Sequence, residues 1–290
     1  MKNFILPGVS EHFLLNEKII LLHEEYPNFF KKDINIRCVY GNFGMCCWNG
    51  GRIKTLYDVD FNEDIQRKRD FFNDRNIPIR LTMTNPMITE EHLSDRYSNL
   101  ILELLNNGKN EILVSSPILE EYILQKYPSY KLCSSTTKCL TNIDSIYNEL
   151  DNNKYIQVCL DYNMNHNKKL LENMTENQKD KTEFSCNAIC PPGCKTRSHH
   201  YKANGISTLN LSKNFTVPYC QIQENICGKV VLESQNNISP QEIEDYYEPL
   251  GFSNFKLEGR TIPENSLILN YCYYMIKPEY FMQVASDLLN

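Results

Sequence analysis

The sequence has 290 residues, 41% of them hydrophobic and 23% charged, enough to bury a substantial core and too apolar for global disorder. Its formal net charge of −6 argues against bulk, sequence-independent nucleic-acid binding, which needs a basic surface, and leaves room only for a local basic groove. No apolar run approaches the ~20 residues of a membrane-spanning helix. The opening stretch MKNFILPGVSEHFLLNEK has one lysine, then a short apolar piece broken by Pro7 and Gly8. It lacks a full apolar signal region and a small-residue cleavage site, so the chain reads as mature and cytoplasmic. On that reading its twelve cysteines are reduced thiols: buried fillers, nucleophiles or metal ligands, not disulfides.

In chain order, the first expected strand is INIRCVY (34–40), followed by helix-like NEDIQRKRDFFNDR. Next come IPIRLTMT (77–84) and a helix over 94–107 that stops at Gly108, then EILVSS (111–116) and SPILEEYILQKYP. YKLCSST (130–136) precedes NIDSIYNELDNN, and YIQVCLD (155–161) precedes a polar stretch, 163–182, with a helical centre. EFSCNAI (183–189) leads to an irregular segment over 205–226 and then to GKVVLES (228–234). In SPQEIEDYYEPLG, Ser239 is the N-cap, Pro240 the first helical residue, Glu242 the capping-box partner and Gly251 the stop. NFKLEGR (254–260) is the last strand, and Cys272 falls in a C-terminal helix. The strands are short and rich in β-branched residues, as buried parallel strands are.

Eight strands alternating with helices over this length fit a closed (β/α)8 TIM-type barrel, one domain over 1–290 with an irregular cysteine-bearing loop at 190–227. A doubly wound sheet would be expected to offer a glycine-rich first turn, and none follows the early strands. In such a barrel the chemistry lies at the C-terminal ends of the strands. There the sequence puts GNFGMCCWNGGR, NPM, TKC, CPPGCKTRSHHY and GRTIPEN.

CNAICPPGC sets Cys186, Cys190 and Cys194 four residues apart, the last two flanking a stiff Pro-Pro-Gly turn. Cys220 and Cys227 follow in the irregular segment, and Cys46 and Cys47 leave the strand at 34–40 toward the same mouth. Cysteine-only ligation suits zinc or an iron–sulfur cluster, and C-x3-C with distant partners fits a cluster better than the CxxC knuckles of structural zinc. Cys190, Cys194 and Cys220 are the expected ligands, with Cys46 or Cys47 as the fourth and Cys186 in reserve. Cys38, Cys133, Cys159, Cys186 and Cys272 otherwise read as buried hydrophobes. After Cys194, Arg197 shares a helix face with His200 and Tyr201, while His199 reads as solvated. WNGGR brings Arg52 toward the mouth, and Asn85 ends the strand at 77–84. Lys256, Glu258 and Arg260 alternate along the last strand and face the interior near its top, where charges must pair, while Phe255 and Leu257 face the helices. Arg197, His200, Glu258 and Arg260 are the expected substrate contacts. No Ser-His-Asp order, HExxH or GxxxxGK[ST] occurs.

FKLEGR (255–260), preceded by SPQEIEDYYEPLGF, resembles the signature of the collagenase-like peptidase family U32. CNAICPPGCKTRSHHY is similar to the cysteine segment of its divergent members, and VYGNFGMCCWNGGR to its early strand. The resemblance spans about Ile34 to Arg260. It implies a TIM-like barrel and, in many members, a [4Fe-4S] cluster on four cysteines, one of them at the position of Cys46. It implies an oxidoreductase or hydroxylase-type enzyme. Two further readings are a peptidase, and a non-catalytic cluster-binding accessory subunit working with a protein partner as a heterodimer. The compact cysteine segment and the absence of the extra C-terminal domain of many members leave the substrate open.

Overall fold

The computed structural model describes residues 1–44, 46–51, 60–210 and 234–289. Eight parallel strands close into a barrel in sequence order: β1 (Lys2–Pro7), β2 (Ile34–Gly41), β3 (Ile79–Met83), β4 (Glu111–Val114), β5 (Lys131–Ser134), β6 (Tyr155–Cys159), β7 (Thr182–Ser185) and β8 (Asn254–Lys256). Helices α1 (Phe13–Glu25), α2 (Asn62–Asp74), α3 (Arg96–Leu105), α4 (Pro117–Lys126), α5 (Ile143–Asp151), α6 (Lys168–Glu172), α7 (Glu176–Lys181) and α8 (Arg197–Leu209) follow the strands. The short α9 (Pro240–Glu242) runs on into a π-helical turn at Ile243–Tyr247, and α10 (Glu264–Met275) and α11 (Phe281–Leu289) end the chain. This is the expected (β/α)8 barrel.

One strand was misplaced by the sequence reading. The first strand is Lys2–Pro7, which Pro7 and Gly8 disguise as a broken apolar piece; Pro7 ends the strand, where its missing N–H costs least. Segment 228–233, expected as a strand, lies outside the described residues, and the barrel closes without it because β8 pairs directly with both β7 and β1. The 190–227 stretch, expected as an irregular loop with 205–226 unstructured, instead carries the 13-residue helix α8 over Arg197–Leu209, while 211–227 lies outside the described residues. Ser239 and Glu242 form the reciprocal capping box, and Gly108 and Gly251 take positive φ.

Alternation along the strands divides the molecule into two layers. Phe4, Leu81, Ile112, Phe184, Phe255 and Leu257 point outward and pack under the helices. Phe255 lies against Phe4, Phe184 and Tyr247 with ring centroids 6.1, 6.2 and 6.5 Å away. The inner face is polar. Arg80, fully buried, donates to Glu111 Oε2 at 2.8 Å and to Glu183 and Gln157. Arg37 donates to Glu111 Oε1 at 2.8 Å, and Lys256 Nζ lies 3.9 Å from Glu183 Oε1. The β1–β2 register skips Arg37, a bulge that turns the strand so that Cys38 and Tyr40 join Ile5 inside the barrel. Cys133 and Cys159 also face inward, against Glu111 and Lys256.

Candidate functional site at the barrel mouth

At the C-terminal ends of the strands the barrel opens into a pocket of about 50 Å³. It is lined by Tyr40, Gly51, Thr82, Thr84, Leu113, Ser135, Thr136, Thr137, Tyr201, Lys256, Glu258, Gly259 and Arg260. The alternation of charges on the last strand accordingly delivers Lys256, Glu258 and Arg260 to one space. Arg260 is held rigidly: Nη1 donates to Asn49 Oδ1 at 3.0 Å and Thr82 Oγ1 at 2.9 Å, and Nη2 to Gly50 O at 3.3 Å. Lys256 is buried over the Tyr40 ring, 4.3 Å from its centre, and Tyr40 Oη donates to Leu257 O at 2.9 Å. Glu258 accepts from the Ile189 N–H at 3.3 Å, while its backbone exchanges two hydrogen bonds with the Asn187 amide.

The wall opposite β8 depends on two close approaches. A Cβ on Gly50 would stand 2.3 Å from Thr84 O, so only glycine lets the 46–51 segment lie on the end of β3. A Cβ on Gly205 would stand 2.3 Å from Asn85 Oδ1. Asn85 Nδ2 donates to Cys47 O at 2.9 Å and Gly205 O at 3.2 Å, and Asn204 Nδ2 to Gly51 O at 3.1 Å. These bonds fasten α8, and with it Tyr201, across the mouth.

Arg197 does not point at the pocket. It pairs with both carboxylate oxygens of Asp161, with 3.2 Å from Nη1 to Oδ1, and donates from Nε to Cys139 Sγ at 3.4 Å. It also lies 4.3 Å over the Tyr162 ring. Its guanidinium ties α8 to the segments that follow β5 and β6, and Arg197, expected as a substrate contact, is not among the residues that line the pocket. His200 does not line the pocket either; its ring stacks at 6.5 Å on Tyr201, which does. His199 is exposed, as expected of a solvated helix start. Arg52 lies outside the described residues. The hydroxyls of Thr82, Thr84 and Ser135–Thr137 and the ammonium of Lys256 were missed as site residues; TMT and SSTT at strand ends were the available signal.

Cys38, Cys133, Cys159, Cys186 and Cys272 are all buried. Cys186, the reserve ligand, faces outward with Phe184 into the apolar layer under the helices, because it alternates with Glu183 and Ser185. Burial pushes the Cys46 thiol up to about 11, and it sits 3.2 Å from Ser98 Oγ and 3.6 Å from Met83 Sδ in that same outer layer. Cys47 is raised to about 12, also by burial, and faces Ser98 at 3.7 Å. Cys190 packs with Tyr162 and Ala188, and Cys194 Sγ lies 3.5 Å from Thr196 Oγ1. Cys220 and Cys227 lie outside the described residues. Among the described residues no three Cys, His, Asp or Glu side chains converge on a point where a metal would sit. Cys46 and Cys47 thus meet Ser98, while Cys190 and Cys194 lie on the loop before α8.

The described residues thus form a closed (β/α)8 barrel with a polar, cation-bearing pocket at its mouth. No family model matches the sequence, and no curated protein matches it. A solved structure does: the U32 peptidase Mk0906, with a TM-score of 0.53 and 14% identity over 91% of this chain and 95% of that one. The two share a fold, in keeping with the resemblance of FKLEGR and its neighbours to that family. No helix among the described residues is long and apolar enough to cross a membrane.

Proposed function

We propose that the protein is a U32-type barrel enzyme whose reaction takes place in the mouth pocket. The observation that carries this reading is the convergence of Lys256, Glu258 and Arg260 with a ring of hydroxyls at the catalytic end of a barrel. Arg260 arrives pre-oriented by three hydrogen bonds, so it orients a substrate without being reorganised. Among the described residues Glu258 is the one carboxylate in the pocket lining, and it is the residue to hold or move a proton there. Tyr201 and α8 roof the pocket and limit water.

The sequence reading favours oxidoreductase or hydroxylase-type chemistry with a [4Fe-4S] cluster, or zinc in its place. Cys190 and Cys194 support it, on a stiff turn close to the pocket roof, with Cys220 as a further ligand. Cys46 and Cys47, whose thiols meet Ser98, are left out of that set in this reading. The peptidase reading draws support from the shared fold with a U32 peptidase. No Ser-His-Asp arrangement supports it, so hydrolysis there would use water activated by Glu258. A protein partner, as in a cluster-binding accessory subunit, belongs to the first reading.

One preparation separates these chemistries. Anaerobic purification with iron and sulfide assays is run beside a peptide-cleavage assay. About four irons per chain, lost in Cys190→Ala and Cys194→Ala and kept in Cys46→Ala, supports the cluster reading without Cys46. A colourless, iron-free protein that cleaves peptides and loses this in Glu258→Gln supports the peptidase. Iron-free protein with an inert Arg260→Gln-insensitive mouth would overturn the proposal.

A further inference from the structure

We propose that the mouth pocket takes the carboxylate of a small organic acid, held by Lys256 with Arg260 at its edge. This rests on the reading of that pocket as the substrate site and names the substrate class. Among the described residues, three cations inside the barrel, Arg37, Arg80 and Lys256, face two carboxylates, Glu111 and Glu183. The two arginines take the close contacts: Arg80 to both carboxylates and Arg37 to Glu111. Lys256 keeps only longer contacts. Its ammonium stands 3.9 Å from Glu183 Oε1, 4.0 Å from Cys159 Sγ and 4.3 Å from the centre of the Tyr40 ring. None of these is a close hydrogen bond, and Glu183 Oε1 has no hydrogen-bond partner.

Glu258 and Arg260 at the rim add one charge of each sign, so the described groups of this network, with Arg37 part-exposed at its far end, sum to one positive charge. A buried cation whose ion pair is as long as 3.9 Å is poorly compensated, and the space beside Lys256 is where a closer partner fits. In the wall of that space Thr136 Oγ1 is buried and has no hydrogen-bond partner. An ammonium and a hydroxyl donor facing about 50 Å³ suit a planar carboxylate. Its single charge balances the excess, whereas the nearly two charges of a phosphate monoester would reverse it.

The test uses the full chain and its Lys256→Met variant, with ¹³C-acetate, inorganic phosphate and neutral acetamide as NMR-observed probes. Acetate is expected to bind the wild type saturably and at least tenfold more weakly to Lys256→Met. Phosphate and acetamide are expected to bind the wild type at least tenfold more weakly than acetate. In ligand-free buffer Lys256→Met is expected to melt at a higher temperature than the wild type, because a poorly compensated buried cation is gone. A lower melting temperature, or failure to fold, would make Lys256 the structural partner of Glu183 and overturn the proposal. So would acetate binding that survives in Lys256→Met, the absence of saturable acetate binding, or tighter binding of phosphate. Iron content and peptide cleavage are read separately, so acetate failing while either succeeds overturns the ligand assignment alone.

Discussion

On the outer face of the strands Phe4, Leu81, Ile112, Phe184 and Phe255 pack under helices, whereas on the inner face of the same strands Arg80, Glu111, Gln157, Glu183 and Lys256 meet one another. Barrels of this type commonly fill their interior with branched apolar side chains. Here the apolar layer lies outside, and each buried aromatic there contributes through the area it removes from water. The inner network is different in kind: desolvating its four ionised groups costs about what their mutual attraction returns. The outer layer accounts for stability, while the inner layer keeps charges in fixed positions beneath the mouth.

Breaking the inner layer is expected to have the largest effect. Arg80→Ala leaves Glu111 and Glu183 buried without their main partner and is expected to cost about 3–5 kcal/mol in a denaturant titration. In the outer layer Leu257→Ala removes buried carbon against the helices and is expected to cost about 2–5 kcal/mol. If the first substitution proves milder than the second, the inner network is dispensable to stability and the contrast is sharper than drawn here.

Acid separates the two layers without mutation. Burial alone would raise Glu111, but Arg80 and Arg37 hold it down to about 2, and Glu183 is lowered in the same sense by Arg80 and Lys256 against its own burial. A carboxylate depressed in the folded state binds fewer protons than in the unfolded chain, so its stabilisation is full above the ordinary value of 4.5 and is lost as pH falls toward 2. The melting temperature is therefore expected to fall between pH 5 and pH 3 in the wild type, and to fall less steeply in Glu111→Gln. Equal slopes would show that carboxylates elsewhere govern acid unfolding. The smallest effect is expected at the barrel's edge, where Ser239→Ala removes one half of the capping box and costs about 1 kcal/mol by the same titration.

Much of this was legible in the sequence, and the misses have physical causes. Lys256, Glu258 and Arg260 were placed in the mouth because a strand's period of two is strict once Phe255 and Leu257 are assigned to the helices. Arg197 was expected to face an anion, and in the structure it pairs with Asp161. That carboxylate lies 36 residues away, just past the end of β6, and no local pattern predicts the pairing. Cys46 and Cys47 were expected at the mouth because they leave β2 on that side. The tight segment ending at Gly50 turns their thiols outward instead, toward Ser98 of α3.

By itself the sequence determined the barrel, most of its strands, the capped start at Ser239 and the inward set on β8, since each follows from period, turn chemistry or capping within a few residues. Only the tertiary structure decided which charges pair, which thiols face the core and which cation is paired most loosely. Those outcomes depend on strands brought together from 31 to more than 200 residues apart, as Arg80 meets Glu111 and Arg260 meets Asn49. Hydrogen bonding and ion pairing act over a few ångströms, so side-chain partners are chosen only once the barrel has closed.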